Sequence, residues 1–473
     1  MTLRILTLCF LLALPCNAEP SARESELDQR IQKILHGEDI EGAKHPLSYG
    51  EVGPLALQRN QRLLARSLEP AQAQARSDQA EAARNPTLSN NFFYVHQDRN
   101  LVQQNLPNTR YVLLASGYNL AQATLYTLGQ NQMLNRTSLF IPIYTGGRLE
   151  SNMHLQDRLT EAAKQDLQRQ RQLTAFAAKQ QYLQVLLARE NRQVADKLLA
   201  RAQGIQSLAS SRLKAGVANQ LELLQAEVSL ANAQDAEVKT QASWQQAQSD
   251  LAVDLDLPVL STFEPREDLK SPDLLAQEPV PPGELKDWLS LSLKQRPELE
   301  AYRQRLLANV EEANVARADL LPQLGLALNY DVIGAPTRLG GGPSLIATLS
   351  IPLYDGGVTD AKVKEIDLHR LQLKTEELHE IEGVELEVRQ ASLKIQEADQ
   401  RLDTAISAQK KASEALRIAE LRYQVGAGTS LEVVEAQAAL GNADFDLADA
   451  HFRQLLARAQ LNLALGQPEK EGP

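Results

Sequence analysis

The chain has 473 residues, with 49 basic against 60 acidic side chains, and its net charge of −11 argues against a nucleic-acid backbone as partner. Aromatic residues are only 4%, while alanine, leucine and glutamine abound, so the composition suggests close-packed helices rather than a bulky globular centre. The length admits one large or two ordinary domains.

Residues 1–18 read as an export signal. Arg4 supplies the positive end, residues 5–14 the apolar run, and Cys16-Asn17-Ala18 a cleavage site before Glu19. The run is too short to cross a bilayer as a helix. Both cysteines, Cys9 and Cys16, fall in this segment, and a rival reading makes Cys16 a lipid-attachment site. After Ala18 no apolar stretch is long enough for a transmembrane helix. Residues 19–49 read as a polar, charged N-terminal arm with weak helical character around residues 27–35.

The first structural repeat is expected over residues 50–256. It opens with a helical pattern over 51–84 that stops at Asn85-Pro86. Residues 88–97 alternate weakly, and residues 98–135 read as a long polar loop. Residues 139–148 ("LFIPIYTGGR") place Leu139, Ile141 and Ile143 on one face of a strand. After Gly146 and Gly147 comes a long helical pattern in which Ala188, Ala195, Ala202 and Ala209 recur every seven residues. A strict heptad implies left-handed supercoiling, and alanine at the seam lets helices approach closely. Forty residues of such helix span about 60 Å. A turn follows at residues 211–227 ("SRLKAGVANQLELLQAE"), and then a second helix carrying Leu223, Ala226, Leu230 and Ala233 at one seam.

Residues 257–283 hold six prolines, Pro258, Pro265, Pro272, Pro279, Pro281 and Pro282, and read as a connector wrapped on a surface, not a core element. The second repeat, residues 284–466, then retraces the first. A helical pattern over 285–321 stops at Pro322, 236 residues after Pro86. Leu324, Leu326, Leu328 and Tyr330 alternate with polar or small residues, and Leu345, Ala347, Leu349, Ile351 and Leu353 alternate with Ile346, Thr348, Ser350 and Pro352, so two strands are expected with Gly340-Gly341-Gly342-Pro343 as the loop between them. "LSIPLYDGGV" repeats the earlier junction 210 residues on, with Gly356 and Gly357 in place of Gly146 and Gly147. The helical seam then runs unbroken through Val384, Val388, Ala391, Ile395, Ala398, Leu402, Ala405, Gln409, Ala412, Leu416, Ala419 and Tyr423. The turn at residues 421–437 ("LRYQVGAGTSLEVVEAQ") puts Gly426 210 residues after Gly216; Gly426 and Gly428 can take positive φ, and Thr429 or Ser430 can cap the next helix. Two unrelated motifs sharing one offset make a tandem duplication. Residues 467–473 are a short tail.

Each copy gives two strands, four per chain. Four strands with one apolar face cannot sit alone in a bilayer, because open edges leave backbone groups unpaired in lipid. Several chains must share one closed barrel, and three would give twelve strands.

The twofold repeat, the "IPIYTGG" and "IPLYDGG" junctions, the "RLKAG" and "RYQVGAGTSLEVVEAQ" turns and the "RNQRLLA" and "RPELEA" helix starts together resemble the TolC-type outer-membrane efflux protein family. The resemblance covers nearly the whole chain after the signal, from about residue 47 to 465. It implies a mainly α fold with a β-barrel part: a homotrimer sharing a twelve-stranded barrel in outer-membrane lipid, continued by a long periplasmic helical coiled-coil barrel. The implied function is the exit duct of a tripartite efflux or type I secretion system, a passive conduit opened at its periplasmic end. Its partners would be a periplasmic adaptor (membrane fusion) protein and an inner-membrane pump of RND, ABC or MFS type.

The resemblance also assigns residues. Glu432 and Glu435 match acidic positions ringing the periplasmic aperture, and Tyr423 matches a tyrosine that helps hold it closed. Arg212, Leu213, Gly216, Arg422 and Gly426 match the tip positions that meet the adaptor. Gly146, Gly147, Gly356 and Gly357 are the strand-to-helix junctions. The family often has a basic residue two positions after the second-turn glycine, where this chain has Gly428.

Catalysis finds no support. There is no nucleotide-binding glycine loop, zinc spacing or thiol after residue 18, and the seven histidines form no i, i+4 pair, so neither cofactor nor metal is expected. The alternative is an exported coiled-coil scaffold without a pore. It accounts for the heptads but not for amphipathic strands placed between the helices.

Overall fold

The structure, a computed structural model, describes residues 22–35, 44–96, 131–335 and 338–467. The expected signal segment with Cys16, and all but the first residue of the tail, lie outside the described residues. The chain is mainly helical with a sheet part. In order the elements are α1 (Ala22–Leu35), β1 (Lys44–Leu47), α2 (Tyr49–Arg59), α3 (Gln61–Arg66), α4 (Leu68–Ala82), β2 (Thr87–His96), β3 (Asn131–Tyr144), α5 (Arg148–Lys214), α6 (Gln220–Asp254), β4 (Thr262–Pro265), α7 (Pro272–Gln277), α8 (Leu285–Gln295), α9 (Pro297–Arg317), β5 (Gln323–Ala335), β6 (Arg338–Ser350), α10 (Val358–Gln424) and α11 (Ser430–Ala464). Among its described residues the arm holds one helix and one short strand. Helices α5 and α10 each run 67 residues, and α6 and α11 each run 35.

Two compact units emerge. One is built from the described residues of Met1–Gln61, Gln172–Gly283 and Arg389–Pro473, the other from Arg62–Arg171 and Glu284–Val388. In the first unit the alanine seam is buried as its heptad requires: Ala195 and Ala209 are fully covered, and Ala188, Ala202, Ala398, Ala405 and Ala419 nearly so. The larger side chains of this unit gather in a core that includes Tyr49, Val52, Tyr182, Leu183, Leu186, Leu251 and Leu255.

The connector departs from its expected role. Phe263, Leu269 and Leu274 belong to that same core, so residues 257–283 are not merely wrapped on a surface. Prolines predict an irregular path but say nothing of what lies beside it. Strand β4 pairs in parallel with β1, His45 opposite Phe263. The Glu278 carboxylate, 4% exposed, accepts from the Tyr49 hydroxyl (3.0 Å), the Lys179 ammonium (2.9 Å) and the Asn462 amide (2.6 Å). Glu267 accepts from the Tyr182 hydroxyl (2.6 Å). Burial drives the Tyr182 phenol far up, and Glu267 adds to the shift.

The second unit holds one antiparallel sheet in the order β2-β3-β5-β6. The segment expected as a loop, Gly340 to Pro343, lies inside β6, with Gly341 opposite Val332 and Pro343 opposite Tyr330. The glycines read as a turn, yet β5 supplies a complete ladder beside them. At Gly341 a Cβ would stand 2.7 Å from the Asp331 carbonyl oxygen. Residues 131–135, expected in the polar loop, begin β3, and residues 97–130 lie outside the described residues. The helical pattern over 51–84 is divided into α2, α3 and α4. Its first break is at Asn60, whose ψ of 115° leaves the helical region. Ile351 and Leu353, expected in the last strand, follow its end at Ser350.

Candidate functional site

The two turns of the first unit close alike. Gly216 (φ 75°) and Gly426 (φ 76°) take the left-handed conformation that stops α5 and α10. The Val217 N–H donates to the Arg212 carbonyl oxygen (3.0 Å) and the Ala427 N–H to that of Arg422 (2.8 Å). The next helix is capped each time by a side chain: Asn219 accepts from the Glu222 N–H (2.9 Å) and Thr429 from the Glu432 N–H (3.3 Å). Thr429, not Ser430, is the cap; Ser430 is buried as the first residue of α11.

Between the turns lies a small core of Ile205, Ala209, Ala226, Leu416, Ala419, Tyr423, Val433 and Leu440. Tyr423 is 3% exposed, and the Arg212 guanidinium lies 4.6 Å from the centre of its ring. Arg212 Nη1 also donates to the Tyr423 carbonyl oxygen at 3.3 Å. Burial raises the Tyr423 phenol above its usual range, Arg212 opposes the shift, and Glu222 adds to it. Arg212 is therefore stacked rather than freely solvated, and Leu213 is half-buried.

Arg422 is more exposed. It pairs with Glu432 (3.2 Å) and donates to the Ala427 carbonyl oxygen (3.3 Å). The Gly428 departure has a steric counterpart here, since a Cβ at that position would stand 3.0 Å from the Arg422 Cβ. Glu435 is exposed one turn beyond. A groove of about 550 Å³ runs between α6 and α11, lined by Leu198, Leu224, Val228, Val434 and Phe445 among others.

The junction glycines lie in the second unit. Gly146, Gly147, Gly356 and Gly357 all have positive φ, between 67° and 87°. At Gly146 a Cβ would meet the Leu321 Cβ at 2.6 Å. Asp355 accepts from the N–H groups of Gly357 (2.9 Å) and Thr359 (2.7 Å), which caps α10.

The structure thus joins Arg212 and Tyr423 in one cluster and Arg422 with Glu432 in another. It adds Glu222 beside the Tyr423 phenol, a residue that the sequence analysis did not single out. No spacing in the sequence pairs the 212 and 423 positions, because they meet only when two distant hairpins pack. Among the described residues no helix is long and apolar enough to cross a membrane, and no group of three His, Cys, Asp or Glu side chains is placed to hold a metal ion.

Long helical hairpins joined to a small antiparallel sheet define a class of envelope protein, and comparison with known proteins names it. A family model described as "Outer membrane efflux protein" matches residues 52–253 and 288–467. The chain belongs to the outer membrane efflux protein family. It is similar to the pyoverdine export outer membrane protein OpmQ of Pseudomonas putida, with 30% identity over 293 residues, and the match spans 60% of each protein. It is also similar to the cation efflux system protein CusC of Escherichia coli, 25% identical over 332 residues, 68% of this chain and 70% of that one. A crystal structure of CusC shares the fold, with a TM-score of 0.74 at 20% identity over 88% of this chain and 92% of that chain.

Proposed function

We propose that the chain is one protomer of a homotrimeric channel-tunnel in the outer membrane, with a large periplasmic part, serving as the exit duct of a tripartite efflux or type I secretion system. The observation that carries this is the two-faced sheet with two free edges. The pairing puts Phe92, Leu139, Leu328 and Leu345 on one face, with Leu324, Leu326, Tyr330 and Leu349. Leu328, Tyr330, Leu345 and Leu349 are each about half exposed or more. The other face carries Asn91, Arg136, Ser138, Asn329, Asp331 and Ser344, a polar cluster flanked by Phe93, Phe140 and Ile346. There Arg136 holds Asp331 through two bonds, 2.6 and 2.9 Å, and Ser138 donates to Asn329 at 2.6 Å. One face suits lipid and the other a water-filled lumen. Among the described residues the outer edges of β2 and β6 have no strand partner, and a bilayer does not tolerate such edges. Three copies close twelve strands.

In this reading the hairpin turns form the periplasmic end. Glu432 and Glu435 line the aperture, Tyr423, buried beneath Arg212, helps hold it closed, and Arg212, Leu213, Gly216, Arg422 and Gly426 face the adaptor. The four junction glycines turn the chain from barrel to helical tunnel. The conduit is passive, so choice of cargo falls to the inner-membrane pump. The names of two relatives, for pyoverdine export and cation efflux, support small exported ligands.

The test is light scattering in mild detergent together with conductance in planar bilayers. A stable trimer that conducts is expected. A monodisperse monomer refutes the reading, and a chain that stays soluble without detergent and forms no pore favours the scaffold.

A further inference from the structure

The polar face of the sheet carries a cavity with no part in the passive conduit described above, although its placement in the lumen rests on that channel reading. It lies within the second unit, where one end of the sheet meets the start of α5, and its volume is about 410 Å³. Ligand pockets run from roughly 300 to 1,000 Å³, so it has room for one small organic molecule. Around it Thr87 lies opposite Phe140, Gly325 opposite Thr348 and Gln323 opposite Ser350. Alternation along the strands puts these residues on the face that also carries Arg136 and Asp331.

Three features point to one kind of ligand. The first is an aromatic floor. At Gly325 a Cβ would stand 2.7 Å from Phe140 Cε2 and 2.9 Å from its Cζ. Without that atom the ring lies close against the backbone of β5, yet Phe140 is still 44% exposed. The second is an unmatched positive charge. Arg148, the first residue of α5, lines the cavity, is exposed, and makes no ion pair among the described residues. Arg136, by contrast, has its charge met by Asp331 at 2.6 and 2.9 Å. The backbone at the start of α5 adds a partial positive charge of its own. The third is the rest of the lining. Among the described residues no carboxylate borders the cavity, while Asn85, Gln323, Thr348 and Ser350 supply amides and hydroxyls.

A cation would be repelled by Arg148. An aliphatic acid would match the guanidinium and leave the ring unused, and a neutral ring would do the reverse. An aromatic carboxylate uses both, because its carboxylate fits the guanidinium fork and its ring stacks on Phe140. We infer that this cavity binds a small aromatic carboxylate, with the carboxylate on Arg148 and the ring on Phe140. In the trimer three such sites ring the lumen at the end of the barrel nearest the helices. They give an anionic aromatic solute a resting place on its way out.

Salicylate is the probe, titrated into the detergent-solubilised full chain by saturation-transfer NMR with empty micelles subtracted. Saturable binding is expected in wild type. Salicyl alcohol keeps the ring and loses the carboxylate, so it should bind wild type about tenfold more weakly. Arg148→Gln should weaken salicylate binding to a similar degree, and Phe140→Leu about fivefold. Arg158, exposed further along α5 and outside the cavity, supplies the charge control Arg158→Gln, which should bind as wild type does. No saturable binding overturns the site. So does an affinity that neither the alcohol nor the two cavity variants lower, and Phe140 would then serve only to cover Gly325. Planar bilayers separate the site from the reading it rests on. In a conducting trimer salicylate should reduce the open-channel current, and do so less in Arg148→Gln. Saturable binding with no effect on the current overturns the lumenal placement. A chain that binds salicylate as expected but forms no pore overturns the channel reading and leaves the site standing.

Discussion

Glu278 offers the most direct test of how the connector is held. Its carboxylate gathers Tyr49 from α2, Lys179 from α5 and Asn462 from α11, all at hydrogen-bonding distance. The Lys179 side chain is 15% exposed and that of Glu278 5%, so the pair is poorly screened. Replacing Glu278 with alanine withdraws the charge from three donors at once, and breaking a buried ion pair costs about 3–5 kcal/mol. The lower figure corresponds to a factor of about a hundred in a local opening equilibrium. The segments that depend on the contact are Tyr49–Arg59 and Pro272–Gln277. Hydrogen exchange by mass spectrometry should show their amides exchanging about a hundredfold faster in Glu278→Ala. In Glu278→Gln, which keeps an acceptor but loses the charge, the increase should be about tenfold. Exchange in β5 and β6, which belong to the other unit, should not change. If Tyr49–Arg59 and Pro272–Gln277 exchange in Glu278→Ala as they do in wild type, the carboxylate does not hold the connector, and the reasoning fails.

Two further outcomes follow from the helical part. Ala405→Leu and Ala412→Leu should overpack a closely approached seam and each cost on the order of 1–3 kcal/mol, read as a lower melting midpoint and reduced trimer yield; variants that melt and assemble like wild type would show that the seam has room. At the turn, Glu432 and Glu435 carry two negative charges and Arg422, paired with Glu432, one positive, a net of −1 per chain. Replacing both glutamates with glutamine leaves +1 per chain, so cation preference and block by trivalent cations should both be lost. An unchanged reversal potential in planar bilayers under a salt gradient would mean that these side chains do not face the pore.

Much of the architecture was legible before any coordinate, for reasons specific to this chain. Helix is written into the heptad from Ala188 to Ala209 and into the seam from Val384 to Tyr423, because a repeat sustained over several turns leaves one solution for burial. The stops at Pro86 and Pro322 and the positive φ of Gly426 are local effects of single residues, whereas Gly428, equally free to take positive φ, does not, and the sequence left the cap open between Thr429 and Ser430. Local chemistry also misled. Gly340 to Pro343 has the composition of a turn, yet a neighbouring strand makes it part of a ladder. The prolines of residues 257–283 foretold an irregular path and concealed a core contribution from Phe263 and Leu274.

By itself the sequence determined the kind and order of the elements, since propensity, periodicity and capping act over a few residues and leave their pattern in the chain. It also carried the duplication, because two copies of one motif need no coordinates to be compared. Tertiary structure alone decided which distant side chains meet. Arg212 lies over Tyr423, and Glu278 collects donors from three helices. Such contacts depend on how hairpins separated by some two hundred residues pack, and no pattern within either hairpin encodes its partner's position.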